Sequence, residues 1–166
     1  MDMIKKLDKT NDDWTSPPEI WQQISEYLPK SENDVIWEPF YNPDSKSPEH
    51  LRNLGCKVVY GNIDFFRNKI GTHIVTNPPW SCKEKVIARL GELDMPFIIV
   101  MPLHSLATRF VKNNFKHKLQ IIIPDMRLHF EKQNPDTLER FTLKRTPFDT
   151  IYFCYKMNLP YDIMWL

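Results

Sequence analysis

Residues Thr72–Trp80 read THIVTNPPW, a short apolar, β-branched run that ends on an asparagine, two prolines and a tryptophan. Thr72–Thr76 predicts a strand, and Asn77-Pro78-Pro79 stops it, because proline fixes φ and carries no N–H. Two consecutive prolines leave a turn whose carbonyls can accept hydrogen bonds while two backbone donors are missing. The Asn77 side-chain oxygen and the Pro78 carbonyl can together accept both hydrogens of a planar exocyclic amine. Trp80 offers a flat face to the ring bearing that amine. The plainer role of the same residues is to terminate a strand, which proline commonly does.

Working outward, the chain alternates strands and helices. Asp34–Phe40 (DVIWEPF), Lys57–Tyr60 (KVVY), Pro96–Met101 (PFIIVM), Leu119–Ile123 (LQIII) and Thr150–Tyr155 (TIYFCY) predict further strands. Helices are predicted over Glu19–Leu28 with Pro18 in the first turn, from Ser47 to Leu54 closed by Gly55, over Lys83–Leu93 and across Leu106–Phe115. Glu131–Thr146 reads as a polar loop or hairpin insert. Near-continuous apolar strands such as FIIV suit a sheet covered on both faces, so an open, mostly parallel α/β sheet is expected. Such sheets bind ligands beyond the carboxyl ends of their strands, which singles out the loops after Phe40, Tyr60 and Thr76.

With 166 residues, 42% hydrophobic and 26% charged, the composition fits one domain, residues 1–166, with a core that needs no metal or disulfide. Cys56, Cys82 and Cys154 are an odd number without zinc-ligand spacing, as expected of reduced thiols in an intracellular protein. The longest strongly apolar run, Pro96–Leu103, is far short of the ~20 residues of a membrane helix. The net charge of +1 hides an asymmetry. Residues 1–104 hold 12 basic against 15 acidic residues, and residues 105–145 hold 9 against 4, so the basic third could face a polyanion or be a solvated face.

NPPW resembles the (Asp/Asn)-Pro-Pro-(Tyr/Phe/Trp) motif of amino-group methyltransferases, best known in DNA adenine-N6 methyltransferases. Three further segments agree with it in order. Asp13-Trp14-Thr15-Ser16-Pro17 resembles the Asp-x-Trp-x-(Thr)-Pro segment of the small phage and viral adenine methyltransferases, which helps to cradle S-adenosyl-L-methionine. Trp37-Glu38-Pro39-Phe40-Tyr41 resembles the first-strand motif (Asp/Glu)-Pro-Phe-x-Gly-x-Gly. Asn62-Ile63-Asp64-Phe65-Phe66 resembles the segment whose acid reaches the cofactor's adenine.

The resemblance implies a Rossmann-like class I methyltransferase fold and methyl transfer from S-adenosyl-L-methionine to adenine N6 in nucleic acid, DNA ahead of RNA. Asn77, Pro78, Pro79 and Trp80 would be catalytic. Trp14, Thr15, Pro17, Glu38, Pro39, Phe40, Tyr41, Asn62, Asp64 and Phe65 would hold the cofactor, with Glu38 on the methionyl ammonium. No metal is implied, and the target adenine would be flipped or single-stranded. The loop Tyr41-Asn42-Pro43-Asp44-Ser45-Lys46-Ser47 stands where the family has Gly-x-Gly. No room is left for a target-recognition domain beyond residues 131–146, with Lys132, Arg140, Lys144 and Arg145, so a protein partner could supply target recognition. Other readings are a catalytically silent subunit that binds nucleic acid or a partner, and a protein-glutamine N5 methyltransferase. Among single residues, Glu38 and Asp64 could be plain caps, and Trp14 and Trp80 ordinary core aromatics.

Overall fold

A computed structural model describes residues 14–41, 45–133, 136–137, 139–142 and 149–166. Its centre is a seven-stranded sheet. The strands are β2 (Ile36–Glu38), β3 (Val58–Tyr60), β4 (His73–Thr76), β5 (Phe97–Pro102), β6 (Leu119–Ile123), β9 (Thr150–Tyr155) and β10 (Ile163–Trp165), in the order β10-β6-β9-β5-β4-β2-β3. β3, β2, β4 and β5 run parallel, and β10 runs parallel to β6. β9 alone is reversed, antiparallel to both β5 and β6. This is the open, mostly parallel, Rossmann-like α/β architecture expected of a class I methyltransferase.

The apolar strands form because both faces are covered. One face carries Ile36, Val58, Val75, Ile98, Val100 and Tyr152 against Ile20, Trp21 and Ile24 of the α1 region (α1, Pro18–Gln22) and Leu51 of α2 (Ser47–Asn53). The other carries Trp37, Ile74, Phe97, Ile99 and Phe153 against Val86, Ile87 and Leu90 of α3 (Lys83–Leu93) and Val111 and Phe115 of α4 (Arg109–Phe115). Alternate residues of each strand therefore enter different cores, as a period of two requires.

Several local expectations change. The helix expected over Glu19–Leu28 stops at Gln22 and continues only as a 3-10 turn at Ser25–Tyr27. Leu28 precedes Pro29 and is extended (φ −70°, ψ 141°), as a pre-proline residue prefers. The helix expected across Leu106–Phe115 is likewise two pieces, a 3-10 turn at Leu103–Ala107 and then α4. Thr108 separates them in an extended conformation, its hydroxyl donating back to the Ser105 carbonyl at 2.6 Å. Gly55 closes α2 at φ +93°, as the sequence suggests. Gly71 turns the chain into β4 at φ +69°, where a Cβ would stand 2.6 Å from the Val35 carbonyl oxygen.

Two strands have no counterpart among the expected elements, β10 and β1 (Trp14–Thr15). β1 joins β7 (Glu131–Gln133) and β8 (Arg140–Thr142) in a small antiparallel sheet, order β1-β7-β8. Within the insert expected at Glu131–Thr146, β7 and β8 thus pair as a hairpin, and β7 also takes up β1. Lys144 and Arg145 lie outside the described residues, as do Asn42, Pro43 and Asp44. Among the described residues no helix is long and apolar enough to cross a membrane, and Cys56, Cys82 and Cys154 form no disulfide.

Candidate functional site

The chain leaves β2 to build β3 on one side and returns to place β4 on the other, so the strand order reverses at β2. A crevice at the carboxyl end of such a switch strand is the ordinary ligand site of an open α/β sheet. Glu38 is the last residue of β2, opposite Tyr60 of β3. It is 3% exposed and accepts hydrogen bonds on Oε1 from the Thr76 hydroxyl (2.5 Å) and the Phe40 backbone N–H (3.1 Å). Burial pushes its carboxyl up to about 7, against the downward pull of those two hydrogen bonds. Among the described residues Glu38 makes no ion pair.

Thr76 ends β4, and Asn77 follows it. The Asn77 side-chain amide donates from Nδ2 to Ser16 Oγ at 3.1 Å, and its Oδ1 is buried without a hydrogen-bond partner among the described residues. Pro78 is buried and Pro79 half-buried. Trp80 opens a 3-10 turn, Trp80–Cys82, and its indole N–H donates to the Val100 carbonyl at 3.4 Å. Its ring meets Phe130 edge-on at 5.3 Å and 86°, so the tryptophan is part of the sheet's packing as well as of the turn. Two more buried hydroxyls without partners lie toward the same end: Thr150 Oγ1, opposite Pro102, and Ser105 Oγ, in the turn after β5. An unsatisfied buried polar atom costs about 1–3 kcal/mol, so a group of them is expected where something else binds.

The residues singled out by sequence divide into two groups. Glu38, Pro39 and Phe40 stand together at the end of β2, with Thr76, Asn77, Pro78, Pro79 and Trp80 beside them on the end of β4. Thr15 donates from Oγ1 to the Glu131 carbonyl at 3.3 Å, Trp14 pairs through its backbone with Lys132, and Pro17 caps α1. Tyr41 is half-buried, its ring 4.9 Å from that of Tyr60. The third segment behaves differently. Asn62 is exposed, and the Asp64 carboxylate caps its own turn, accepting from the Phe66 N–H at 2.8 Å and pairing with Arg67 at 3.5 Å. Phe65 has no exposed surface and packs against Trp37, Phe40 and Phe66 at ring distances of 5.7, 4.9 and 5.2 Å. Its ring thus packs into the core beneath α3.

Ser16, Thr76 and Phe130 are candidate site residues that carry no role in the sequence reading. Ser16 lies inside a segment already marked by Trp14, Thr15 and Pro17, and Thr76 adjoins Asn77, so proximity in sequence is the available signal for both. Phe130 has none.

No protein-family model matches the chain. No curated protein matches it. Among solved structures it is similar to a precorrin-6y C5,15-methyltransferase from Geobacter metallireducens GS-15 (10% identity, 83% of this chain and 88% of that chain, TM-score 0.45). A SAM-dependent O-methyltransferase from Thermotoga maritima is also similar (13% identity, 93% and 71%, TM-score 0.47). So is a tRNA m1A methyltransferase from Aquifex aeolicus (11% identity, 83% and 68%, TM-score 0.41).

Proposed function

We propose that the protein transfers a methyl group from S-adenosyl-L-methionine to the exocyclic amino group, N6, of adenine in nucleic acid, DNA ahead of RNA. The observation that carries the reading is the buried, unpartnered Oδ1 of Asn77, set at the end of β4 beside two prolines that supply no N–H. The adenine amino nitrogen is a poor nucleophile because its lone pair is delocalised into the ring. Asn77 Oδ1 and the Pro78 carbonyl, holding its two hydrogens, would localise that pair on nitrogen. Positive charge grows on the amine as it is methylated, so fixed acceptor dipoles stabilise the transition state more than the ground state.

Glu38 fits the cofactor's cation. It is a buried carboxyl with no cation of its own among the described residues, and its raised pKa reports burial that a bound ammonium would offset. Glu38 would hold the methionyl ammonium, with Pro39, Phe40, Tyr41, Thr15 and Pro17 as neighbouring contacts. When bound, the cofactor supplies a methyl group made electrophilic by its sulfonium. The Asn77-side acceptors need no base of perturbed pKa, since the proton displaced from the methylated amine is acidic enough to pass to solvent.

Labelled-methyl transfer to single-stranded DNA, duplex DNA, RNA and peptide tests the reading. The expected result is label on adenine-containing DNA and none on the same DNA with adenine replaced by a base lacking the amine. Label on peptide glutamine alone would replace the substrate assignment with the protein-glutamine alternative. The loop reading Asn42-Pro43-Asp44 in place of Gly-x-Gly favours a second reading, a silent subunit that binds nucleic acid or a partner. Absence of cofactor binding would select it.

A further inference from the structure

We infer that β10 is a docking edge for a second copy of this chain, the two β10 strands pairing antiparallel about a twofold axis at Met164. The two open edges of the seven-stranded sheet, β3 and β10, differ in how they are guarded. An open edge is a row of unpaired backbone groups, which proteins commonly protect with charge. β3 has that protection. Lys57 gives its carbonyl to the Ile36 N–H at 2.8 Å, so the carbonyl of the next residue, Val58, points outward. Arg52 of α2 donates to that outward carbonyl from Nη2 at 2.9 Å and lays its guanidinium 4.8 Å over the Tyr60 ring. β10 reads Ile163-Met164-Trp165, with neither charge nor proline. Trp165 is 74% exposed, Ile163 53%, and Tyr161, two residues ahead, 71%.

The backbone shows which groups of β10 are left over. The Asp162 carbonyl accepts from the Ile121 N–H at 2.8 Å, and the Leu166 N–H donates to the Ile123 carbonyl at 3.1 Å. Positions 162, 164 and 166 therefore face β6. By alternation the N–H and C=O groups of Ile163 and Trp165 point away from the sheet, and none has a backbone partner among the described residues. Two donors and two acceptors spaced two residues apart are self-complementary. In an antiparallel pair centred on Met164, Ile163 of each copy exchanges both hydrogen bonds with the other copy's Trp165, and all four groups of each strand are satisfied. The same register sets the Ile163 side chain beside the other copy's Trp165, an aliphatic–aromatic contact made twice. With Tyr161 flanking it, each copy offers roughly 400 Å2 of exposed side chain, so a pair with its strand edges reaches the ~1,000 Å2 of a specific interface at the small end of the range.

β10 runs with β6, and through the reversed β9 with β5, β4 and β2, so in the joined sheet the carboxyl ends of the two copies point in opposite directions. Each copy keeps its own candidate site, and the pairing stands or falls apart from the methyl-transfer reading. Sedimentation velocity of the full chain across the micromolar range is the test. The mass is expected to move from 19.9 kDa toward twice that value as concentration rises. Trp165→Lys should weaken association by on the order of 10²-fold or more, because Trp165 stands in both contacts. Its Tm should stay near that of the wild type, since the side chain is largely exposed. Met164→Cys reads the register, because the twofold brings that position to a non-hydrogen-bonded pair with Cα atoms ~4.5 Å apart, within disulfide range. Mild oxidation should yield a covalent dimer of this variant and none of the wild type. A wild type that stays at 19.9 kDa throughout overturns the inference and leaves the edge to a different partner. A dimer that Trp165→Lys does not weaken, or that Met164→Cys does not cross-link, overturns it as well.

Discussion

At the amino end of β5, Asp94 accepts the Tyr155 hydroxyl at 2.5 Å and the Lys156 ammonium at 2.7 Å; at the carboxyl end of β2, Glu38 accepts a hydroxyl and one backbone N–H and meets no cation among the described residues. The hydrogen bond from Lys156, and then that from Tyr155, holds the Asp94 carboxyl below its usual range, although the group is open to solvent. Burial drives Glu38 the other way, up to about 7. At the amino end the acid thus has its counter-charge. Among the described residues the carboxyl end keeps a buried acid without a counter-charge and three buried polar atoms without partners, Asn77 Oδ1, Ser105 Oγ and Thr150 Oγ1, while a fourth such atom, Trp37 Nε1, lies within β2. On the proposed reading those groups match their ligands, a cation for Glu38 and hydrogen-bond donors for Asn77.

Substitutions on either side sharpen that contrast. The largest effect is expected from Asn77→Ala, which should lower methyl transfer by on the order of 10²-fold or more, by analogy with loss of one oriented oxyanion-hole partner. Calorimetry should find its cofactor affinity unchanged. Activity retained in that variant would remove the mechanism. Glu38→Gln should weaken cofactor binding by roughly 10- to 100-fold, the value of a hydrogen-bonded charge.

The same Glu38→Gln change should flatten the pH dependence of Tm. A carboxyl whose folded pKa lies near 7 binds its proton more tightly folded than unfolded. Its stabilising contribution is therefore present below the unfolded value near 4.5 and is lost as pH rises toward 7, up to about 3 kcal/mol in all. Thermal unfolding of the wild type between pH 5 and pH 8, set beside the variant, measures that slope. A wild-type Tm that rises over the interval because of Glu38 would contradict the burial argument.

A smaller effect is expected on the wild-type cofactor affinity, which should be roughly ten-fold weaker at pH 6 than at pH 8 as the ionised fraction of Glu38 falls. Smallest is Asp94→Asn, at the satisfied end. Turnover and cofactor affinity should stay within about two-fold, and the slight fall in Tm should shrink in high salt, because an exposed pair is screened. A large loss of activity there would erase the difference between the two ends.

The parts of this arrangement legible in sequence are those carried by contiguous residues. Leu119–Ile123, Thr150–Tyr155 and Lys83–Leu93 form the elements their apolar patterns predict, with the same boundaries. The reversed direction of β9 is not legible, since an apolar run reads the same for a strand of either sense. The strands β1 and β10 are two and three residues long and exist by pairing with partners over 30 residues away, which no local pattern encodes. In the site, the spacing of Asn77-Pro78-Pro79 and the acid of Glu38-Pro39-Phe40 mark the two strand ends that the structure brings together. Asp64 and Phe65 carry the same kind of mark, yet a turn and a core claim their side chains. Ser16, 61 positions from Asn77, could be found only in three dimensions.

Calorimetric titration with S-adenosyl-L-methionine at pH 6.5, in two buffers of different ionisation enthalpy, tests most directly whether Glu38 is the vacant half of an ion pair. The account predicts micromolar binding with net release of a proton, absent in Glu38→Gln, as the ammonium displaces the proton the buried carboxyl holds at that pH. No binding up to millimolar cofactor by the folded protein, or binding of equal strength in wild type and Glu38→Gln without proton release, would contradict it.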